Sequence, residues 1–461
     1  MPLAAFSRQF RATAAAVAVI IATAPVASAE TLTDALISAY QHSGLLEQNR
    51  AVLRAADEDV AQAVALLRPV VGWSANIDLN NRTQNFAGDY LAGSLGLSAS
   101  LTVYDFGRNR LGVEAAQESV LATREALVGI EQQVLLRAVQ AYMNVRRESE
   151  FVSLRQNNVR LITQELRAAR DRFEVGEVTR TDVAIAEARL ASSRAGFAAA
   201  QGSLAQAREE YRAAVGRYPG QLDPPPTVPS TARTLEEAQS AAAQNHPNML
   251  RAQRDVTVAE LNIERAEAAL NPTVSLTGQA SVDLRGTDRA SVGLSVQGPI
   301  YQGGQIASLL RQAIAGRDAS RAGLHLTRLS VLQNVGNAWS NLLVARASIE
   351  ATDRQVRASR VAYRGVREEA TLGARTTLDV LNAEQELLDA QANRISAGAD
   401  AQIAAYNLLA SMGYLTVRHL NLGIATYDVQ DYYNAVRTAP ARRISPQGER
   451  LDGFLRRRNR N

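Results

Sequence analysis

Residues 173–183 read FEVGEVTRTDV, and residues 371–380 read TLGARTTLDV. Gly176 aligns with Gly373 and Asp182 with Asp379, each pair 197 residues apart. Working outward, Tyr104 and Gly107 of YDFGRNR recur at the same separation as Tyr301 and Gly304 of YQGGQ. Further upstream, Thr31-Leu32, Ala35 and Pro69 match Thr234-Leu235, Ala238 and Pro272 at a separation of 203. The change in spacing falls between Pro69 and Tyr104, so one loop there is longer than its twin. The chain is one unit written twice. The copies are joined by YPGQLDPPPTVPS at 218–230, whose prolines make a stiff connector.

Around the two quoted stretches the pattern is helical. Proline is absent from 70 through 218 and from 300 through 439, which permits very long helices. Val152, Arg155, Val159, Ile162, Leu166, Ala169 and Phe173 keep a three–four spacing with one polar exception. Val183, Ala186, Leu190, Ser193, Phe197, Ala200, Leu204, Ala207 and Tyr211 do the same. That is a coiled-coil seam rich in small residues. Only the turn around Gly176 separates the two runs, so they form an antiparallel hairpin, and Val380, Ala383, Leu387 and Ala390 repeat it after Gly373. The runs 108–173 and 305–370 are 66 residues each. At 1.5 Å per residue each is roughly 100 Å long, flanked by helices about half that length over 32–68 and 181–215.

Four segments carry a period of two instead. Val71, Trp73, Ala75, Ile77 and Leu79 alternate with polar or small residues, and so do Leu91, Leu95, Leu97, Ala99, Leu101 and Val103. In the second copy Val274, Leu276, Gly278, Ala280, Val282 and Leu284 alternate in the same way, followed by Val292, Leu294 and Val296. Period two makes a strand with one apolar and one polar face. No other amphipathic layer is left to cover those apolar faces. An outward apolar band with a polar lumen, and aromatic residues such as Trp73, Tyr90, Tyr104 and Tyr301 near the strand ends, predicts a membrane-spanning barrel. Four strands cannot close one, and lipid does not tolerate open edges, so several chains must share it.

Composition excludes much else. With no cysteine there are no disulfides and no thiolate chemistry. All fifty basic residues are arginine, and a net charge of +4 spread over 461 residues offers nucleic acid no patch. His42, His246, His325 and His419 have no metal-ligand spacing, and neither a GxSxG nor a P-loop occurs, so no cofactor, metal or catalytic residue is expected. The triplets DFG at 105–107 and GGQ at 303–305 occupy equivalent places in the duplicated unit. They cannot be kinase metal binding in one copy and peptidyl-tRNA hydrolysis in the other, and read as glycine turns. Arg8, Arg11, the apolar run 12–21 and Ala27-Ser28-Ala29 form a signal peptide over 1–29. No later apolar run is long enough for a spanning helix.

The order of these features resembles the TolC-type outer-membrane efflux family over about residues 30–430. The resemblance rests on the leader, the duplication, one strand hairpin per copy, YDFGRNR and YQGGQ at the strand-to-helix junctions, the two tip motifs, and the C-terminal stretch LTVRHLNLGIATYDVQDYYNAVR. It implies a mixed α and β fold: a homotrimer sharing a twelve-stranded barrel in outer-membrane lipid, continued by a helical coiled-coil tunnel in the periplasm. The implied function is passive efflux or type I secretion with a periplasmic adaptor and an inner-membrane pump as partners. The domain reading is then a signal peptide at 1–29 and a first repeat at 30–217 with its strand hairpin at 70–103. A linker at 218–233 and a second repeat at 234–412, with its hairpin at 273–298, follow. A C-terminal equatorial segment at 413–440 and a disordered basic tail at 441–461 complete the chain. The competing reading is a soluble periplasmic coiled-coil adaptor or scaffold.

By the family's tip motif, Asp182 and Arg375 fall where a charge pair between hairpins holds the entrance shut. Asp379 falls where three chains contribute a carboxylate ring, whose members would raise each other's pKa and favour cations. Two positions depart from the pattern: the second ring position is Asn382, and the position of a gating tyrosine is Ala370. Thr179-x-x-Asp182 and Thr376-x-x-Asp379 also read as capping boxes, so capping and gating both stand for the two acids. Arg375 is poorly explained as a cap, since a cation is unfavourable at a helix N-terminus. Gly176 and Gly373 supply tip conformations closed to other residues, beside grooves where the adaptor's hairpins would dock. Tyr104, Gly107, Tyr301 and Gly304 are expected at the barrel-to-tunnel junction.

Overall fold

The computed structural model describes residues 29–80, 90–227 and 231–438. The expected leader falls outside them except for Ala29, and the basic tail at 441–461 falls outside entirely. Among the described residues the helices are α1 (Leu32–His42), α2 (Gly44–Ala65), α3 (Arg108–Glu174), α4 (Arg180–Val215), α5 (Leu235–Asn245), α6 (Pro247–Ala268), α7 (Gln305–Thr371), α8 (Thr377–Ser411) and α9 (Val429–Val436). The strands are β1 (Val70–Asn80), β2 (Tyr90–Tyr104), β3 (Thr273–Asp283) and β4 (Asp288–Gln297). None of these helices is long and apolar enough to cross a membrane.

The chain divides into two compact units, and each takes segments from both sequence repeats. One unit holds residues up to 39, 138–227 and 362–395, and the other holds 40–137, 228–361 and 396 onward. In the second unit the strands form one antiparallel sheet in the order β1-β2-β3-β4. The repeats therefore meet edge to edge at β2 and β3, where the register shifts between Thr102 and Tyr104.

The register keeps the two-residue alternation aligned across all four strands. Gly72, Ser98, Gln279 and Ser291 are opposite one another in one row, and Val71, Ala99, Gly278 and Val292 in the adjacent row. The first row is small and polar, and the second is apolar and faces the other way. Trp73 and Ile77 are each 76% exposed and Val292 is 81% exposed, so among the described residues nothing covers the apolar face. Among the described residues β1 and β4 each have a single neighbour, which leaves both sheet edges unpaired.

Helices of the same unit bury a separate core. Val331, Val335, Ala338, Leu342 and Ala345 of α7 keep the four–three rhythm of a coiled-coil knob row. They pack with Ala401, Ala405 and Leu408 of α8, Ala238 and Ala242 of α5, and Met249 of α6. Each of the two shorter helical stretches is broken in the same place. Ser43 caps α2 by accepting the amide N–H of Leu46 at 3.2 Å, and its counterpart His246, ahead of Pro247, caps α6 through Nδ1, which accepts from Asn248. The single helix read over 32–68 is thus two helices. The C-terminal segment docks on α2. Tyr432 donates to Glu58 at 2.6 Å, and Arg50 lies between the rings of Tyr40 and Tyr427 at 5.3 and 5.2 Å.

In the first unit, Ile162, Leu166 and Ala169 of α3 close on Ala186 and Leu190 of α4, as the seam requires. Phe173, read as the last seam position, is exposed instead. Glu30 holds the linker to the helices. It pairs with Leu222 in a parallel bridge, and its carboxylate accepts from Tyr211 at 2.6 Å and Arg217 at 2.8 Å.

Candidate functional site

Both hairpin tips lie in the first unit and are built by the same local chemistry. Each long helix ends in a residue with left-handed backbone, Gly176 at φ +79° and Gly373 at φ +78°, where a side chain would be strained. Beside them, Glu177 and Ala374 donate their N–H groups back to the carbonyls of Arg172 and Glu369, which ties off the helix ends. Thr179 then caps α4. Its N–H and hydroxyl both donate to Asp182 Oδ2, at 2.9 and 2.7 Å, while its oxygen accepts from the Asp182 N–H. Thr376 and Asp379 repeat this at the start of α8, at 3.0, 2.9 and 3.2 Å. Bonds from the threonine hold both acids below the ordinary carboxylate range, so both are ionised at neutral pH.

Capping therefore occupies both acids, but only through one oxygen each. All the threonine bonds go to Oδ2, and among the described residues Oδ1 of Asp182 and of Asp379 accepts no hydrogen bond. Arg375 donates through Nε to Glu369 Oε2 at 2.8 Å within its own hairpin. That bond and the charges of Glu369 and Asp379 push its pKa further up. Among the described residues no pair joins Arg375 to Asp182 within one chain. Asn382 accepts from Arg189 of α4 at 3.0 Å, and Ala370 is buried with Tyr363 and Val380.

A second set of groups behind the tips escaped the sequence reading. Leu381 of α8 inserts into the apolar core of the first hairpin. Glu384, 3% exposed, accepts at Oε1 from Asn158 of α3 at 2.9 Å, and Asn158 in turn accepts from Ser193 of α4 at 2.8 Å. The joining residues lie in different repeats and follow no motif. Only the acid at an inward heptad position of α8 could have hinted at them.

At the other predicted sites, Tyr104 ends β2 and packs against Phe106 with ring centroids 4.8 Å apart. Gly107, at φ +84°, turns the chain into α3, and Asp105 accepts the N–H groups of Gly107 and Asn109. Tyr301 is 86% exposed, and Gly303 and Gly304, at φ +60° and +85°, make the equivalent turn into α7. DFG and GGQ are thus strand-to-helix turns. Among the described residues no group of His, Asp and Glu could hold a metal ion.

The family model for "Outer membrane efflux protein" matches residues 36–217 and 238–414, one match for each repeat. The chain belongs to the outer membrane efflux protein family. Outer membrane efflux protein BepC of Brucella suis is 36% identical over 425 residues, covering 90% of this chain and 92% of the relative. Outer membrane protein TolC of Escherichia coli is 26% identical, covering 84% and 83%. Among solved structures, CusC superposes with a TM-score of 0.76 at 20% identity over 84% of this chain and 92% of that one. This efflux protein is accordingly a channel component of an outer-membrane efflux or secretion system and not an enzyme, with its helical part in the periplasm. Membership sets aside the soluble adaptor reading. Members of the family work in three-part systems with an adaptor and an inner-membrane pump.

Proposed function

We propose that three copies of the chain close one barrel of twelve strands in outer-membrane lipid, and that cargo passes through it without energy input from this protein. The observation that carries this reading is the four-stranded sheet with both edges unpaired and its apolar face bare. Each unpaired edge would lose several hydrogen bonds in lipid, and joining β1 of one copy to β4 of the next restores them. The polar row of Gly72, Ser98, Gln279 and Ser291 would then line the lumen.

The gate is assigned to the tips. Arg375 uses only Nε within its own chain, so its Nη groups are left for an acid of a neighbouring hairpin, and Asp182 keeps Oδ1 available for that role. Capping and gating thus fit the same carboxylate. Asp379, ionised and partly exposed, would form the three-fold ring that favours cations at the entrance. The turns at Gly176 and Gly373 would be where the adaptor docks. Tyr104, Gly107, Tyr301 and Gly304 would mark the passage from barrel to tunnel. The relatives' names cover cation efflux (CusC) and protease secretion (AprF), so the cargo class is left to experiment.

Native mass spectrometry of the full-length protein released from detergent tests the assembly. A particle of three chains is expected. A stable monomer retaining its strands by infrared spectroscopy would contradict the shared barrel.

A further inference from the structure

The two tip hairpins carry the same charge pair at equivalent positions, yet use it differently. In the first hairpin Arg170 donates to Glu187 at 2.6 Å on the exposed surface. The counterparts 197 positions later are Arg367 and Glu384. There Glu384 turns inward to Asn158 of the first hairpin, and Arg367 is left with Glu165 at 3.5 Å. Glu384 Oε2 has no hydrogen-bond partner in this buried place, and neither has the hydroxyl of nearby Tyr363. An ionised carboxylate with a bare buried oxygen is costly. The same oxygen carrying a proton is a donor, and costs less.

We infer that Glu384 is a proton-dependent latch that fastens the second tip hairpin to the first through Asn158, and that on losing its proton it exchanges Asn158 for Arg367. The groups that face it are Asn158 and Glu165 from α3, Arg189 and Ser193 from α4, and Tyr363 and Arg367 from α7. Burial pushes the Glu384 carboxyl up to about 7, against the pull of Asn158, Arg189 and Arg367, while Glu165 adds to the rise. A released, solvated Glu384 would titrate in the ordinary glutamate range. The latched state therefore binds the proton more tightly. It is favoured below that range and loses its advantage as pH rises through it to about 7, by a factor on the order of 100. The consequence for conduction rests on the tip-gate reading above, whereas the latch itself does not.

The chain has no cysteine, so one introduced thiol reports on the joint. Ile162→Cys places it in the buried core one turn from Asn158, where Leu381 of the second hairpin packs. Maleimide labelling of the full-length protein is measured from pH 5.5 to 8.5 and divided by the rate for the same thiol in a Glu384→Gln background, which cancels thiol ionisation. The ratio should be lowest at pH 5.5 and rise at least tenfold by pH 8.5. A flat ratio would overturn the latch. Arg367→Ala, which removes the exchange partner, should move the rise to higher pH, and an unmoved profile would likewise count against the exchange. Bilayer conductance of Arg375→Ala separates the two ideas. Rising labelling with no conductance change in that variant keeps the latch and removes the tip gate, while flat labelling with a widened channel removes the latch and keeps the gate.

Discussion

The two tip hairpins share their turns and caps but not their interiors. Thr179 with Asp182 and Thr376 with Asp379 make the same bonds within a few tenths of an ångström. Behind the first turn, Leu166 sits in an apolar core with Ile162, Ala169 and Leu190. At the corresponding place behind the second stands Tyr363, buried with Ala370 and Val380, flanked by Val366, Ala383 and Leu387, and with its hydroxyl unpartnered. After duplication, the local chemistry that makes a tight turn was kept in both copies, because backbone geometry tolerates few substitutes there. The packed interiors were free to diverge. The second hairpin is the more polar of the two inside, with the Tyr363 hydroxyl and the Glu384 carboxylate both buried.

This contrast can be broken most sharply in the core. Leu166→Ala should cost about 2–5 kcal/mol, read as a fall in the thermal or denaturant midpoint of the full-length protein in detergent. Tyr363→Phe at the equivalent place should instead leave stability unchanged or raise it by about 1 kcal/mol, since it deletes a buried hydroxyl without a partner. A large loss from Tyr363→Phe would mean that the hydroxyl is bonded in the assembled protein. At the turns the copies should behave alike: Gly176→Ala and Gly373→Ala should each cost about 1–2 kcal/mol through left-handed strain. The smallest effect is expected at the caps, where Thr179→Ala and Thr376→Ala should each cost about 1 kcal/mol. A clear inequality between the two caps would show that one of them also carries load across the gate.

What could be read before the structure follows the same division. The turns at Gly176 and Gly373 and the strand-to-helix junctions at Gly107 and Gly304 were legible because local backbone demands leave their mark on single residues. The long helices were legible from missing prolines and a sustained heptad, and the strands from strict alternation. The break at Ser43 was not read, although His246-Pro247 marks its twin, because Ser43-Gly44 alone does not stop a helical pattern. The bonds of Glu384 to Asn158 and of Arg189 to Asn382 were out of reach. They join residues 226 and 193 positions apart through packing that no periodicity encodes. The pairing of Arg375 with Glu369 was also missed, since a six-residue reach around a turn follows neither helical nor strand spacing.

The measurement that tests the central claim most directly is single-channel conductance in a planar bilayer, comparing the wild-type protein with Arg375→Ala. A small, cation-preferring wild-type conductance that rises several-fold in the variant is the result expected of a shared barrel gated at the tips. A wide wild-type channel left unchanged by the substitution would place the constriction away from Arg375 and contradict the assignment.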